Sequence, residues 1–330
     1  MPPSLRSIRR SLPRALAYLW LCLLLLLILT GQLSRSSLAP EGWAWISCDV
    51  GQGDAHLVRS GPDRAYLIDS GQEAQKLEDC LKWAGVRELE AIFITHAHRD
   101  HYGALIELLD SEGLIGSYQG PLYLSPHFLG QLPAAEARIL EAHPGIKLEL
   151  LGVEGRQLAA GQGAKEFTLQ EQGRPPRLRL LWPPLDSPSL PGQVGSSSWI
   201  NNSSLVIHWT LPLSGGGWLT VLSTGDLEEE GAGRLIAAGQ NLEAQVLKVP
   251  HHGSASGGQE IILASKAQLA LIPVGAANSF GHPHQEILQA LQQQKVPVCR
   301  TDQGGHLALY QTEEGVALKG SRGGQTCTNG

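Results

Sequence analysis

Short apolar runs alternate with polar turns along most of the chain, which predicts strands interrupted by helices. Over residues 43–95 this pattern predicts strands near residues 43–50, 55–59 and 64–71, a helix near 75–84 and a strand at 91–95. The same pattern predicts further strands near 122–124, 147–151, 177–182, 203–211, 218–224, 244–250 and 268–275, helices near 102–110, 134–142 and 285–293, and a last hairpin from 296–300 and 306–310. Residues 183–198, rich in proline, glycine and serine, are expected to form a long loop.

The N-terminal pattern is different, because four arginines precede an uncharged apolar run at residues 15–30. The run is short for a membrane-spanning helix, yet it suits a thin bilayer and also a signal-peptide core. No clear small-x-small cleavage site follows, so we expect an uncleaved anchor rather than a cleaved signal or a buried soluble helix. The arginines should stay in the cytoplasm and the remainder outside it. We expect residues 1–38 to be this segment, 43–318 the folded domain and 319–330 a flexible tail.

Composition is that of a globular protein, with 330 residues of which 42% are hydrophobic and 17% are charged. The formal charge of −6 provides no global basic field, which counts against tight DNA binding. The 5 cysteines are odd in number and widely spaced, so neither a disulfide framework nor a cysteine metal site is predicted. Cys48 and Cys299 lie in strand-like runs and are expected to be buried thiols.

The densest chemistry lies in one stretch, where His96, His98, Asp100 and His101 follow a β-branched apolar run. Imidazole nitrogen and carboxylate oxygen are ligands for borderline cations such as Zn²⁺. In an extended loop His96 and His98 point the same way and can bind one ion, and Asp100 and His101 can turn towards a second. The stretch therefore predicts a metal centre.

Four more candidates lie where later strands are expected to end. Asp226 follows Gly225, and a carboxylate there can bridge two metals. His251 and His252 end another predicted strand, where adjacent side chains point oppositely, so one is expected to bind metal and the other to orient a substrate or ligand. His282 is a candidate ligand, general acid or turn residue, whereas mid-strand His208 is expected to be structural.

Six motifs occur in order along the chain. They are Asp49-Val50-Gly51-Gln52-Gly53-Asp54, the loop from His96 to His101, Asn201-Asn202-Ser203-Ser204-Leu205-Val206, Thr224-Gly225-Asp226, Lys248-Val249-Pro250-His251-His252-Gly253-Ser254 and Gly281-His282-Pro283. Taken together, these motifs resemble the metallo-β-lactamase-like domain of ComEC-type competence proteins, which belong to the bacterial DNA-uptake machinery. The resemblance covers about residues 43–311 and implies an α/β fold, an αββα sandwich of two facing sheets with helices outside.

The resemblance also implies a site that holds two divalent metal ions, Zn²⁺ or Mn²⁺. The expected metal ligands are His96, His98, Asp100, His101, Asp226 and His251, with His252 as the alternative to His251. The expected catalytic residues are Asp100, His252 and His282. Lys248 and Ser254 are near enough in sequence to help hold a phosphate, although Lys248 is equally expected to be a strand residue facing solvent.

There are two departures from the family pattern. Many superfamily members supply another histidine where this chain has Asn201-Asn202-Ser203-Ser204, so the first metal is ligand-poor, weakly bound or completed by an asparagine. ComEC-type proteins also carry a multi-helix channel, whereas this chain has one apolar run, so we expect that it does not itself form the pore.

Three functions compete on this sequence. The first is a two-metal phosphodiesterase that acts on single-stranded DNA outside the membrane, beside a separate uptake channel. The second is a hydrolase of another phosphoester, lactone or amide. The third is a non-catalytic, metal-stabilised partner of a DNA-uptake channel. The complete first motif argues against the third function, and the negative charge argues mildly against the first.

Overall fold

Two eight-stranded sheets organise the computed structural model, which describes residues 38–153, 165–168, 174–185, 190–323 and 327–328 together with Tyr18 and Trp20. Most of the expected N-terminal membrane segment lies outside these residues. None of the helices in the described ranges has the length and apolar character needed to cross a membrane.

The first sheet has the strand order β15-β14-β1-β2-β3-β4-β5-β6. Its strands from β3 to β6 are parallel, and the other neighbouring pairs are antiparallel. The strands are β1 Trp45–Ser47, β2 His56–Arg59, β3 Arg64–Ile68, β4 Glu88–Ile94, β5 Gly120–Leu124, β6 Ile146–Leu150, β14 Leu307–Thr312 and β15 Gly315–Gly320.

The second sheet has the order β16-β13-β12-β11-β10-β9-β8-β7, with β10 to β13 parallel and the other pairs antiparallel. The strands are β7 Lys165–Thr168, β8 Arg177–Trp182, β9 Val206–Pro212, β10 Trp218–Ser223, β11 Val246–Lys248, β12 Leu269–Ile272, β13 Val298–Arg300 and β16 Cys327–Thr328. Each sheet therefore contains a block of four neighbouring parallel strands, which in the first sheet ends at the edge strand β6. Loops that follow parallel strands gather at one edge of a sheet.

Helices cover the outer faces of both sheets, and the inner faces pack on each other. Between the sheets, Phe93 of β4 meets Trp209 of β9 edge to face, with ring centroids 5.6 Å apart. The helices are α1 Ala74–Ala84, α2 Arg99–Leu109, α3 Ala134–Ala142, α4 Ser197–Asn201, α5 Glu229–Ala237, α6 Gln259–Ser265, α7 Gln285–Gln293 and α8 Thr301–Gly304, with 3₁₀ turns at Leu129–Gln131 and Pro250–Gly253. Buried residues of α1 to α3 pack on the first sheet, and those of α5 to α7 pack on the second. The expected αββα sandwich is confirmed.

The predicted last hairpin is wrong. Residues 296–300 supply β13 of the second sheet, whereas residues 306–310 supply β14 of the first. Helix α8 connects them, so the chain crosses from one sheet to the other at this point. Two consecutive strand-like runs form a hairpin only if they pair with each other. Here β13 pairs with β12 and β14 pairs with β1 instead.

The cysteine prediction is also wrong. Cys48 is bonded to Cys80, and Cys299 to Cys327, which joins residues 32 and 28 positions apart in sequence. Cys48 and Cys299 are buried as expected, but not as free thiols. Because Cys327 also lies in β16, which pairs with β13, this part of the expected flexible tail is attached to the sheet. Pairs so distant in sequence are not visible as a spacing motif.

Candidate metal centre

One carboxylate oxygen lies at the middle of the site. Asp226 follows β10, and its N–H donates to Ser204 Oγ at 2.9 Å. Around Asp226 Oδ2 lie four imidazole Nε2 atoms, at 3.2 Å (His101), 3.3 Å (His252), 3.7 Å (His251) and 3.9 Å (His96). Asp226 is 1% exposed, so this convergence takes place away from bulk water. Both sheets contribute, since His96 and His101 follow β4 and the other residues follow β10 and β11.

The first motif is divided between a loop and a helix. Helix α2 begins at Arg99, three residues earlier than predicted, so Asp100 and His101 lie in its first turn rather than in an extended loop. His96 Nε2 lies 3.1 Å from His98 Nδ1, and Asp100 Oδ2 lies 3.5 Å from His252 Nε2. His96 and His98 thus lie side by side, and Asp100 and His101 lie in a group with Asp226 and His252. The division of these residues between two metal ions stays a prediction.

His251 and His252 do not point oppositely as the sequence pattern suggested. Both adopt left-handed backbone conformations, with φ of 49° and 54°, in the 3₁₀ turn that follows β11. The turn carries both Nε2 atoms to within 3.7 Å of Asp226 Oδ2. Left-handed conformations cost non-glycine residues about 1–3 kcal/mol each and cluster at functional sites. His252 is buried beside Asp100, so geometry makes it the better metal ligand, and the choice between the two histidines stays a prediction.

Buried groups behind the histidines of the centre fix the orientation of the imidazole rings. Asp69 Oδ2 accepts from His101 Nδ1 at 2.8 Å, and Asp69 Oδ1 accepts from the Thr95 N–H at 2.7 Å. His252 Nδ1 donates to the Pro273 carbonyl at 3.0 Å. With Nδ1 donating, each imidazole presents Nε2 to the centre, which is the tautomer that a metal ligand needs. Asp69 was not singled out from the sequence; its position at the end of β3 was the available signal.

The motif from Asp49 to Asp54 brings a third carboxylate to the centre. Asp54 Oδ1 lies 3.3 Å from His252 Nδ1, and the Asp54 N–H donates to the Asp100 carbonyl at 3.2 Å. Gly53 makes this approach possible, because a Cβ atom there would lie 2.0 Å from the Asp100 carbonyl oxygen. The family resemblance identified this motif in the sequence, but no role followed from it.

Lys248 is a buried cation of the site, contrary to both roles expected for it from the sequence. It is fully buried at the end of β11, so it neither faces solvent nor is free to hold a phosphate. Its Nζ lies 2.5 Å from Asp54 Oδ2 and 3.5 Å from Asp226 Oδ1, and it donates to the Gly225 carbonyl at 2.6 Å. The ammonium therefore joins the two carboxylates on the side away from the imidazoles and leaves Asp226 Oδ2 to them.

Charge balance in the site follows from these contacts. Burial would raise the pKa of Asp54, but Lys248 and His252 outweigh burial and hold that pKa well below its usual range. Burial would lower the pKa of His252, yet Asp226 and Asp54 hold it well above its usual range. His101 behaves in the same way beside Asp226. These two imidazoles must lose a proton before they bind a cation, so metal binding should compete with protons.

The region without the expected extra histidine is occupied by Asn201, at the end of α4. This short helix, Ser197–Asn201, interrupts the predicted loop. Burial lowers the pKa of His98, and the neighbouring Asn201 side chain acts weakly in the opposite direction. Asn201 Nδ2 donates to Glu228 Oε1 at 2.7 Å. A carboxamide oxygen is a weaker ligand than imidazole for Zn²⁺. A metal ion that had Asn201 as a ligand in place of a histidine would therefore be bound less strongly.

His282 lies at the rim of the centre. It is half-buried, and its ring centroid lies 5.6 Å from that of His251 and 6.3 Å from that of His252. Gln52 Oε1 accepts from the Gly275 N–H, which leaves Gln52 Nε2 to face His282 Nδ1 at 3.4 Å. Burial, followed by the neighbouring histidines, lowers the pKa of His282 to about 4. A neutral ring that accepts at Nδ1 carries its proton on Nε2.

Other sequence candidates lie outside the centre. His208 Nε2 bonds to the Glu243 carbonyl at 2.8 Å on the outer side of β9, consistent with the structural role expected for it. Ser254 is buried, and its Oγ lies 3.0 Å from Ser256 Oγ, which in turn contacts His251. Ser254 therefore supports the turn that carries the two histidines.

The sequence is similar to one protein superfamily and to several known proteins. A model of the metallo-beta-lactamase superfamily matches residues 48–155. ComE operon protein 3 of Bacillus subtilis is 32% identical over 279 residues, which are 78% of this chain and 31% of that protein. Competence protein ComA of Neisseria gonorrhoeae is 27% identical over 297 residues, 88% of this chain and 36% of that protein. Ribonuclease Z of Synechocystis is 39% identical over 93 residues, 27% of this chain and 28% of that protein.

The sandwich, the histidine- and aspartate-rich edge and the match of residues 48–155 define the class: this chain carries a metallo-β-lactamase domain, the fold of a superfamily of metal-dependent hydrolases. Within that class it is similar to competence proteins of the ComEC type over most of its own length. It spans about a third of the length of those two curated relatives.

The superfamily implies divalent metal ions, and the residues present fit them. The Nε2 atoms of His101 and His252, which face Asp226 Oδ2, are buried without a hydrogen-bond partner. Such atoms are costly unless a ligand satisfies them. His96, His98 and Asp226 would hold one ion, and Asp100, His101, His252 and Asp226 would hold the other. The donors suit Zn²⁺ or Mn²⁺ alike.

Proposed function

We propose that this chain is a metal-dependent phosphodiesterase that cleaves DNA outside the cytoplasmic membrane during DNA uptake. The observation that carries the proposal is the convergence of four imidazole Nε2 atoms on Asp226 Oδ2, with Asp100 beside them. Donors grouped about a shared carboxylate suit a two-metal hydrolytic centre. The names of the relatives support the substrate class, since two are competence proteins and one is a ribonuclease.

The bound cations would supply a nucleophile from water and neutralise charge on the phosphate. This chain's own residues hold and orient the groups around that chemistry. Lys248 and Asp54 fix the Asp226 carboxylate, and Asp69 fixes His101. His282 presents Nε2–H at the rim, where it can donate to the leaving oxygen of the phosphodiester.

Two disulfide bonds support the location. Cys48–Cys80 and Cys299–Cys327 would not persist in a reducing cytosol, and such bonds are typical of extracytoplasmic proteins. We propose that the domain faces this oxidising side of the membrane, held there by the N-terminal segment, and receives single-stranded DNA from a separate channel protein. Because the net charge is −6, engagement with DNA should be weak and should weaken further as salt rises.

The test supplies the purified full-length chain with single-stranded DNA and Mn²⁺ or Zn²⁺. We expect metal-dependent cleavage that falls at least a hundredfold in His98→Ala and Asp100→Ala, since each removes a ligand. His208→Ala is the matched control, because this histidine lies on β9 away from the centre and should leave cleavage within twofold of wild type. Intact DNA in every metal condition would refute nuclease action.

A second function is favoured by the charge beside the centre. A cleft of about 650 Å³ adjoins His251 and is lined by Glu228, Glu229, Glu230 and Glu260, with Arg234 as the one basic residue described in the lining, paired with Glu230. Such a wall repels a phosphate chain and suits a small neutral or cationic substrate. Turnover of a lactone by metal-loaded protein that leaves DNA intact would support this alternative.

A further inference from the structure

An exposed aromatic side chain extends outward from the metal centre. Phe280 lies in the loop after β12 and is 63% exposed, which makes it one of the most exposed large apolar residues described. Its ring stacks on His282, with centroids 5.6 Å apart and planes 25° from parallel. The His282 ring in turn lies 5.6 Å from the His251 ring. A row of three rings therefore leads from the catalytic edge to solvent.

The loop that carries Phe280 is fastened at its base. Asn278 Oδ1 accepts from the His282 N–H at 2.9 Å, and Asn278 Nδ2 donates to the carbonyls of His282 and Gly275, both at 2.8 Å. These bonds, with the Gln52 contact to His282, close the loop into a compact turn. The position of Phe280 is thus set by hydrogen bonds at both ends of the turn, while one face of its ring stays open to solvent.

We propose that Phe280, supported by His282, is the stacking platform for a nucleobase next to the scissile phosphate, so the substrate is single-stranded nucleic acid. This rests on the phosphodiesterase function proposed above and assigns a residue that would bind and select its substrate. Base–aromatic stacking is tolerant of sequence and needs an exposed base face. Within a duplex each base is covered by its neighbours, so only a single strand can lay a base on Phe280.

The test compares Phe280→Ala and Phe280→Trp with wild type on two substrates, an oligothymidylate strand and an abasic strand of equal length. We expect Phe280→Ala to raise KM for oligothymidylate by about 5- to 150-fold, the worth of one stacked base. The loss on the abasic strand should be much smaller, and Phe280→Trp should restore the preference for the strand with bases. Duplex DNA should be a poor substrate for wild type.

The outcomes that would overturn the proposal are distinct. An equal loss on the abasic strand would show a structural role, and wild-type activity on duplex equal to that on single strands would remove the need for an open base. If wild type cuts no DNA, the nuclease proposal fails separately. Anisotropy of labelled oligothymidylate and abasic strands then still tests the platform: a Phe280→Ala affinity for oligothymidylate equal to that of wild type would overturn it.

Discussion

Replacing Lys248 by methionine removes one buried positive charge and keeps a side chain of similar length. In the wild-type protein the Lys248 ammonium lies 2.5 Å from Asp54 Oδ2 and 3.5 Å from Asp226 Oδ1, and both carboxylates are 1% exposed. The variant would leave two buried carboxylates without this cation. Burial then raises their pKa values, since Lys248 is the largest influence opposing burial at Asp54.

The size of the effect follows from the burial. Breaking a buried ion pair by removing one partner costs about 3–5 kcal/mol, because the remaining charge is left uncompensated. For a domain of this size, each kcal/mol shifts Tm by roughly 2–4 °C. Metal-free Lys248→Met should therefore melt about 6–20 °C below wild type. A bound cation beside Asp226 supplies replacement positive charge, so Zn²⁺ or Mn²⁺ should raise the Tm of the variant more than that of wild type.

Thermal unfolding of the full-length chain, with chelator and with saturating metal, measures both effects. Lys82→Met is the matched control, because Lys82 pairs with Glu78 on an exposed surface and such pairs contribute at most about 1 kcal/mol. The double variant Lys248→Met/Asp54→Asn should recover part of the loss, since it removes a charge that Lys248 compensates. A metal-free Lys248→Met protein that melts within 1 °C of wild type would refute the reasoning.

Two further predictions concern the centre and the cysteines. Asp226→Ala should lose most of its second metal by elemental analysis, because Asp226 Oδ2 is shared by both groups of histidines; two metals per chain in that variant would remove Asp226 from the site. Cys48→Ser/Cys80→Ser should be destabilised by about 3–4 kcal/mol, from the 32-residue separation that the bond closes, and thiol-specific labelling of unreduced wild-type protein should leave these cysteines unmodified.

Local patterns in the sequence account for much of the fold and for the centre's main residues. The alternation of apolar residues predicted α3 with its observed bounds, Ala134–Ala142, and β8 likewise, Arg177–Trp182. His96, His98, Asp100 and His101 are dense enough in sequence to indicate a metal centre without any tertiary knowledge. Asp226 could be identified because it follows a predicted strand and because the His96–His101 motif had already indicated a metal centre.

Features that depend on distant contacts could not be predicted in this way. The left-handed turn at His251 and His252 contradicts the local preference of these residues and is stabilised by the surrounding structure. The burial of Lys248 depends on its ion pair with Asp54, which belongs to the other sheet and is distant in sequence. The disulfide partner of Cys48 lies 32 residues away, where no spacing rule selects it.

The centre also lies on the seam between the two sheets, and this links its chemistry to folding. Asp54, Asp69 and the first histidines come from the first sheet, whereas Asp226, Lys248 and His252 come from the second. In the metal-free protein the Lys248–Asp54 pair joins the sheets at this edge. Cations held by His101 on one side and by Asp226 and His252 on the other would join the same two sheets a second time. Metal binding should therefore stabilise the sandwich as a whole, because the free energy of binding to a site assembled by folding is also free energy of folding.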